Sequence, residues 1–268
     1  MTLLQDRKTL VFACTAAGLW AIFSLGYIFG LLGPGSETWF ANIGAVVGAW
    51  SVTALAFLLW RSYDPDEVAR WIWLPLLIGF FLWAIGDTLW SYYDLRTGAD
   101  IPYPSIADIA WTVSFPFLWV GMWRRYRSLG VPLGRRQWLA PATIVIVGLI
   151  VFGAVLWPIL TYSEYDRQIE RVLDVFYPVG ELILFASAVI VAASVRGGRL
   201  EAPWLAIALG IAVLSLADLV FAYATWNELY LIEGPPNLIT ILSDAPYMGA
   251  YAMIAVGEYA LGRLERTF

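Results

Sequence analysis

Apart from Glu258 near the end of the last one, six carboxyl side chains lie inside long apolar segments of this sequence, where an ionised group is costly to bury. Carboxyl groups at such positions usually face the interior of a helix bundle, where they bind protons, cations or polar neighbours. No Lys or Arg lies deep within the same segments, so each carboxyl group must be protonated, hydrogen-bonded, hydrated or neutralised by a bound cation. The residues are Asp87, Asp108, Asp174, Glu181, Asp218 and Asp244.

Aromatic residues recur at helical spacing beside these carboxyl groups. Trp83 and Trp90 share a helical face with Asp87, and Trp111 follows Asp108 on another. Aromatic rings attract cations, and carboxylates complete the cage. The pattern predicts an outward-facing acidic and aromatic cavity for a small cationic or amphipathic ligand. Its candidate ligand-binding residues are Asp87, Asp108, Trp83, Trp90, Tyr103, Trp111, Tyr177, Glu181, Asp218 and Asp244.

The stretch IPYPSIADIAWTVSFP, residues 101–116, places Asp108 in the first two turns of a predicted helix. A helix N-terminus has free N–H groups and favours negative charge, so we expect Asp108 to serve partly as a cap. We also expect Asp87 and Asp108 to face each other across neighbouring helices at the cavity. A structural interpretation competes, because Asp pairs with Tyr or Trp also hold membrane helices together, and aromatic residues near helix ends form an interfacial belt.

The residue types present exclude several kinds of chemistry. There is no histidine, and the single cysteine, Cys14, cannot form an internal disulfide or a thiolate cluster. Asp87 and Asp94 are similar to the two aspartate signatures of intramembrane aspartyl proteases. That chemistry needs aspartates on neighbouring helices, whereas these two are seven residues apart on one helix, about 10 Å along its axis. We therefore expect no enzyme activity, no cofactor and no metal site.

The elements that carry these residues are predicted to be membrane helices. Hydrophobic residues make up 60% of the 268 residues and charged residues only 14%, against about a quarter in a soluble domain. Eight apolar segments come near the roughly 20 residues needed to cross the hydrocarbon core. The sequence predicts an all-α, polytopic protein of the inner (cytoplasmic) membrane, surrounded by lipids and without a nucleic-acid partner. The predicted spans are 9–31, 39–60, 71–93, 104–124, 137–160, 171–194, 202–225 and 237–261.

The basic residues predict the orientation. With the N-terminus inside, only Arg96, Arg167 and Arg171 of the 16 Lys and Arg residues fall in outer loops. Basic residues concentrate on the cytoplasmic side of membrane proteins. We therefore expect both termini to be cytoplasmic.

An internal repeat is visible at an offset of 131 residues. WLPLLIGFFLWAIGDTLWSYYD from Trp73 aligns with WLAIALGIAVLSLADLVFAYAT from Trp204, and the match pairs Asp87 with Asp218. Four spans per half keep both copies in the same orientation. The sequence thus predicts two parallel four-helix repeats, residues 1–130 and 131–268, related by an axis along the membrane normal.

Three motifs carry a family resemblance. GDTLW at 86–90, PSIADIAW at 104–111 and YPVGELIL at 177–184 resemble the eight-span sensory region at the N-terminus of many bacterial diguanylate cyclases, phosphodiesterases and histidine kinases. The resemblance implies signal input at the membrane, with Asp87, Asp108 and Glu181 at the polar positions. No output domain follows within the 268 residues, so signalling would require a separate cytoplasmic or membrane partner.

Two functions stay open at this point. The first is a membrane sensor that binds a ligand in the outward-facing cavity and signals through a separate partner. The second is an ion- or proton-coupled small-molecule transporter or channel, because parallel repeats and intramembrane carboxyl groups are both familiar in such carriers. Against transport, the inner half of the spans contains a single acidic residue, Glu258.

Overall fold

The computed structural model describes residues 6–97, 101–130, 134, 138–162, 164, 168–195, 200–232 and 234–265. Within these residues every regular element is an α-helix, and eight helices are long and apolar enough to cross a membrane. The predicted all-α, polytopic class with eight membrane-spanning helices is therefore confirmed. The helices are α1 (Arg7–Phe29), α2 (Ser36–Ser62), α3 (Val68–Thr97), α4 (Ile106–Ser128), α5 (Leu139–Thr161), α6 (Gln168–Ser194), α7 (Glu201–Trp226) and α8 (Leu238–Glu265).

Six of the helices form a closed ring, and the other two pack outside it. The ring runs α2, α3, α4, α6, α7, α8 and back to α2, since each of these neighbours is in contact. α1 packs on α2 and α8, and α5 packs on α6 and α7. The centre is filled by large apolar side chains that are at most 2% exposed, among them Trp73, Leu76, Phe115, Ile207 and Ile254.

The start of α1 and the end of α8 lie together. Asp6 caps α1 by accepting a hydrogen bond from the Thr9 amide, and its carboxylate pairs with Arg263 Nε at 3.2 Å. The Arg263 guanidinium, helped by Thr9, lowers the pKa of Asp6 from 3.8 to about 2. We call this end of the bundle the proximal end. The opposite end, which carries the α1–α2, α3–α4 and α7–α8 connections, is the distal end.

The orientation across the membrane stays a prediction with a direct test. A reporter that is active only outside the cytoplasm should be active when fused at Gly35, in the distal α1–α2 connection, and inactive at the C-terminus. The reason is the concentration of basic residues at the proximal end. Activity at both sites, or at neither, would contradict the predicted topology.

Equivalent helix contacts recur in the two halves. A Cβ added to Gly79 would lie 3.1 Å from the Leu118 amide nitrogen, and one added to Gly210 would lie 3.0 Å from that of Ile254. In the same way, Gly121 lies against Leu76 as Gly257 lies against Ile207. The α3–α4 and α7–α8 pairs thus use the same two-glycine contact.

Further contacts fit a two-fold arrangement. The rings of Trp73 and Trp204, which the repeat pairs, lie 5.5 Å apart. Gly48 of α2 packs on Tyr251 of α8, and Gly180 of α6 packs on Phe115 of α4. The outer helices depart from this arrangement. α1 packs on α8, whose counterpart in the first half is α4, but α5 packs on α7. These contacts support the predicted duplication, and the division at residue 130 stays a prediction that superposition of the two halves tests.

Candidate functional site

Asp87 lies at the centre of a hydrogen-bonded cluster between α3, α4 and α8. It is 3% exposed. Its Oδ1 accepts hydrogen bonds from Trp111 Nε1 at 3.0 Å and the Tyr247 hydroxyl at 2.9 Å, and its Oδ2 accepts one from the Tyr251 hydroxyl at 2.5 Å. Trp83 Nε1 donates to the Tyr247 hydroxyl at 2.8 Å. We call these residues the Asp87 cluster, and in it the cost of burying a carboxylate is offset by three donors.

The local sequence explains how the cluster is assembled. Gly86 precedes Asp87, and a Cβ there would lie 2.4 Å from the Trp111 indole nitrogen, so only glycine lets Trp111 reach the carboxylate. Tyr247 and Tyr251 are four residues apart on α8 and therefore point the same way. Their hydroxyl oxygens lie 2.9 Å apart, so the single Tyr251 O–H can donate either to Asp87 or to Tyr247.

Asp108 is occupied by its own helix and by α6. Its Oδ2 accepts from the Ser105 amide at 2.6 Å and from the Ser105 hydroxyl at 3.0 Å, and the two residues form a capping box at the start of α4. The other oxygen accepts from the Tyr177 hydroxyl at 2.7 Å. The expectation that Asp108 caps its helix is confirmed. The Asp87 carboxylate accepts hydrogen bonds from α4 and α8, whereas the Asp108 carboxylate accepts one from α6. The two carboxyl groups therefore bond to different neighbours.

Tyr103 lies beside Asp108 but bonds elsewhere. Its hydroxyl donates to Asp174 Oδ1 at 2.5 Å, which joins the α3–α4 connection to the start of α6. Burial, followed by the Asp174 carboxylate, raises the pKa of Tyr103 well above its ordinary value. The Tyr103 hydroxyl therefore stays a hydrogen-bond donor at neutral pH.

Glu181 and Asp218 form a carboxyl pair at the contact between α6 and α7. Glu181 is 3% exposed, Asp218 is half-buried, and Ser215 beside them is fully buried. Glu181, Asp218 and Ser215 lie close together at this contact. Across the residues that the structure describes, Glu181 Oε2, Asp218 Oδ2 and Ser215 Oγ are buried and have no well-aligned hydrogen-bond partner.

A small cavity opens at the distal end between α1, α2, α3, α8 and the α3–α4 and α7–α8 connections. Its accessible volume is about 20 Å³, which is room for one group the size of a water molecule. Three carboxyl groups line it, from Glu37, Asp94 and Asp244, together with the Trp90 ring and two tyrosines. Its lining contains no Lys or Arg. We call this the distal cavity.

Two of the carboxyl groups of the distal cavity are held in place by neighbours. Asp244 Oδ2 accepts from the Tyr27 hydroxyl at 2.7 Å and from the Tyr230 hydroxyl at 3.1 Å. Asp94 Oδ2 accepts from the Asn42 side-chain amide at 2.5 Å. Burial and the nearby Asp244 carboxylate raise the pKa of Tyr230, which lies in the α7–α8 connection, well above its ordinary value.

Glu37 is the third acidic residue of the distal cavity, and it is different. It lies in the first turn of α2 and is 8% exposed, and its Oε2 has no hydrogen-bond partner among the described residues. Gly30, which ends α1 at a φ of 56°, makes room for the other oxygen, because a Cβ there would lie 2.6 Å from it. Glu37 is thus a buried carboxyl group with one unpartnered oxygen, beside a cavity of the size of a small cation.

The predicted site residues are distributed over several places. Only Trp90 and Asp244 line the distal cavity. Trp90 also contacts the Asp87 cluster, since its ring lies 5.8 Å from that of Trp111. Asp87, Trp83 and Trp111 belong to the Asp87 cluster, Asp108 with Tyr177 and Tyr103 joins α4 to α6, and Glu181 with Asp218 forms the carboxyl pair.

Four residues of the distal cavity were missed by the sequence analysis. Asp94 follows Asp87 and Trp90 at helical spacing, and this signal was available. Glu37 lies in the GPGSE stretch, which reads as a turn. Tyr27 and Tyr230 are far from Asp244 in sequence, and no pattern predicts their contact with it.

The chain matches no protein-family model, no curated protein and no solved structure. The resemblance to bacterial sensory regions therefore stays a prediction carried by the three motifs. Among the described residues no three His, Cys, Asp or Glu side chains are arranged to hold a metal ion. The site must be interpreted from its own geometry.

Proposed function

We propose that this protein is an integral membrane protein that binds a small cation in the distal cavity and passes the occupancy of that cavity to a separate partner. The observation that carries the proposal is Glu37, whose Oε2 is buried beside the cavity without a partner. An unpaired buried carboxylate is costly, and a bound cation removes the cost.

The cavity favours a group of the ammonium type. Its volume of about 20 Å³ accepts one water-sized group, and an ammonium head is of that size. The Trp90 ring lines one side, and aromatic faces attract cations. Three carboxyl groups supply hydrogen-bond acceptors for the N–H donors of a primary amine, and apolar parts of the ligand would extend toward the distal surface.

Signalling is the part of the proposal that rests on the resemblance. The distal cavity contacts six separate segments, α1, α2, α3, α8, the α3–α4 connection and the α7–α8 connection. A bound cation would draw the acidic groups of α2, α3 and α8 together. The exposed Arg124 and Arg127 at the proximal end of α4 offer a cytoplasmic partner a basic surface. Copurification of a kinase or a cyclase in mild detergent would support sensing.

The binding test uses the purified protein in detergent. The midpoint of thermal unfolding is measured in ammonium, methylammonium and choline chloride, with sodium chloride at equal ionic strength as reference. A ligand that binds only the folded state at 100 times its Kd stabilises by about 2.7 kcal/mol, so the midpoint should rise by several degrees. We expect methylammonium to raise it, and choline to raise it less because its head is too large for the cavity.

A matched pair of variants locates the effect. Glu37→Gln keeps the shape of the side chain and removes its charge, and it should weaken cation binding at least tenfold. Glu164→Gln removes an exposed carboxyl group outside the distal cavity and should leave binding unchanged. Equal stabilisation of wild type and Glu37→Gln, or none in either, would contradict the proposal.

Transport is a second candidate because of one residue near the proximal end. Glu258 of α8 is fully buried, and neither of its carboxyl oxygens has a hydrogen-bond partner among the described residues. Carboxyl groups therefore occur at both ends of the bundle, as a transport path requires. Uptake of methylammonium into proteoliposomes that depends on an ion gradient would favour transport over sensing.

A further inference from the structure

The contact between α6 and α7 contains polar atoms that lack partners. Glu181 Oε2, Asp218 Oδ2 and Ser215 Oγ are all buried there without an aligned hydrogen-bond partner in the described part of the chain. Glu181 is 3% exposed and Ser215 is 0% exposed, so bulk water does not reach them. Their apolar surroundings include Leu184, which is 1% exposed. Such an arrangement is costly unless something binds between these oxygen atoms.

Two ionised carboxylates cannot lie side by side in such a place. Their charges repel, and neither offers a donor to the other. One added proton changes both facts at once, because it removes one charge and makes one carboxyl group a donor to its neighbour. Hydrogen bonds of this acid–carboxylate type are short and roughly twice as strong as neutral ones.

We propose that Glu181 and Asp218 share one proton, so that the α6–α7 contact is a proton-binding site. In the bound state one carboxyl O–H donates to the carboxylate of the other residue, and the Ser215 hydroxyl is free to donate to the same oxygens. The pair then carries one negative charge instead of two. This inference is independent of cation binding at the distal cavity, from which Glu181 and Asp218 are absent.

The groups that act on the pair are mostly acidic. From α3 and α8, the Asp87 and Asp244 carboxyl groups act on Asp218, and the Tyr247 hydroxyl of α8 lies near it. From α6 itself, Tyr177 lies near Asp218 and donates a hydrogen bond to Asp108 of α4. The sequence of α5, Leu139–Thr161, contains no titratable side chain. Among the described residues, the groups that act on the pair include no Lys or Arg.

The first half of the molecule provides a natural comparison. Gly48 packs on Tyr251 as Gly180 packs on Phe115, so the two glycines occupy matching positions in the two halves. The residue after the glycine is Ala49 in the first half and Glu181 in the second. Asp87, the counterpart of Asp218, has three hydrogen-bond donors instead of a carboxyl neighbour. Of these two matched aspartates, Asp218 is therefore the one whose hydrogen bond depends on a proton shared with a second carboxyl group.

A proton fits this site better than a metal ion. The pair and Ser215 offer two carboxyl groups and one hydroxyl, whereas calcium takes six to eight oxygen ligands. The described residues also contain no group of three acidic side chains placed to hold a metal ion. A proton needs only the two facing carboxyl oxygens.

Infrared spectroscopy of the whole protein in detergent tests the proposal. A protonated carboxyl group has a C=O stretch separate from that of a carboxylate, and it shifts in D₂O. At neutral pH, wild type should show one such band that the Glu181→Gln protein lacks, so the band should remain in the difference spectrum of wild type minus variant. Asp218→Asn should lose the same band, because in each variant the new amide donates to the remaining carboxylate and replaces the proton.

Two controls separate this band from others. Glu258→Gln should remove a different component and leave the band of the pair in place, because Glu258 is buried apart from another carboxyl group. Glu164→Gln changes an exposed carboxyl group away from the pair and should also leave the band of the pair in place. Both amide variants of the pair keep side-chain shape, so either one suffices if the other fails to fold.

Two results would overturn the shared proton. The first is an unchanged C=O spectrum in both Glu181→Gln and Asp218→Asn. The second is a band that appears in wild type only after sodium is replaced by a large organic cation, which would assign the site to a metal cation. Loss of methylammonium binding in Glu37→Gln bears on the distal cavity alone, so failure of one proposal leaves the other standing.

Discussion

Replacing Asp87 by alanine should lower the free energy of unfolding by about 3 kcal/mol. The substitution removes the acceptor for Trp111 Nε1 and for the hydroxyl groups of Tyr247 and Tyr251. The Tyr251 hydroxyl can then donate to the Tyr247 hydroxyl, so the indole N–H and the Tyr247 O–H lose their acceptor. Each buried, unsatisfied donor costs about 1–3 kcal/mol. Thermal or detergent-induced unfolding of the purified protein measures the loss.

Graded variants show whether the hydrogen bonds cause that loss. Asp87→Asn keeps one acceptor oxygen and should cost less than Asp87→Ala. Tyr251→Phe removes one donor and leaves the carboxylate two others, so it should cost about 1 kcal/mol. The exposed Glu164→Gln should cost nothing. An Asp87→Ala protein as stable as wild type would show that the carboxylate is not held in this cluster.

The same series addresses the predicted role of Asp87 in ligand binding. Both oxygens of Asp87 already accept hydrogen bonds from the protein, and the distal cavity is lined by Asp94 instead, farther along α3. A ligand contact by Asp87 would require these bonds to open. Asp87→Asn with near wild-type stability but weaker cation binding would support the predicted role, whereas unchanged binding would leave Asp87 with a structural role.

Much of the fold could be predicted because membrane helices impose simple rules. Every backbone group must be hydrogen-bonded inside the lipid, so an apolar segment of sufficient length becomes a helix whatever its neighbours are. The capping role of Asp108 was also predictable, since a carboxylate in the first turn bonds to nearby backbone groups. Local sequence decides both features.

The neighbours of each helix could not be predicted in the same way. The contacts of α8 with α2 and of α4 with α6 join segments that are far apart in sequence. Tyr251 meets Asp87 across 164 positions, and Tyr27 meets Asp244 across 217. Single-residue spacing identifies the face of a helix but not the helix it faces. The carboxyl groups were therefore found, while their partners and the distal cavity were not.

The largest effect of a single methyl group is expected at Gly257. A Cβ there would lie 2.6 Å from the Pro203 carbonyl oxygen and 2.9 Å from the Ile207 amide nitrogen, both backbone atoms of α7. Backbone cannot move aside as a side chain can, so Gly257→Ala should push α7 and α8 apart. Such overpacking costs about 1–3 kcal/mol, despite a gain of up to about 1 kcal/mol from the better helix propensity of alanine.

Two other glycines make this prediction specific. Gly153 lies in α5 with nothing within 4 Å of its added Cβ, so Gly153→Ala should be neutral or stabilise by up to about 1 kcal/mol. Gly121 is the counterpart of Gly257 in the first half, but its contacts at 2.5 Å are with the Leu76 side chain, and the backbone nitrogen of Leu76 is 3.2 Å away. Because a side chain can shift more easily than backbone, Gly121→Ala should cost less than Gly257→Ala. Unfolding midpoints should therefore fall in the order Gly153→Ala, Gly121→Ala, Gly257→Ala, and an equal midpoint for all three would show that α7 and α8 are not in close backbone contact.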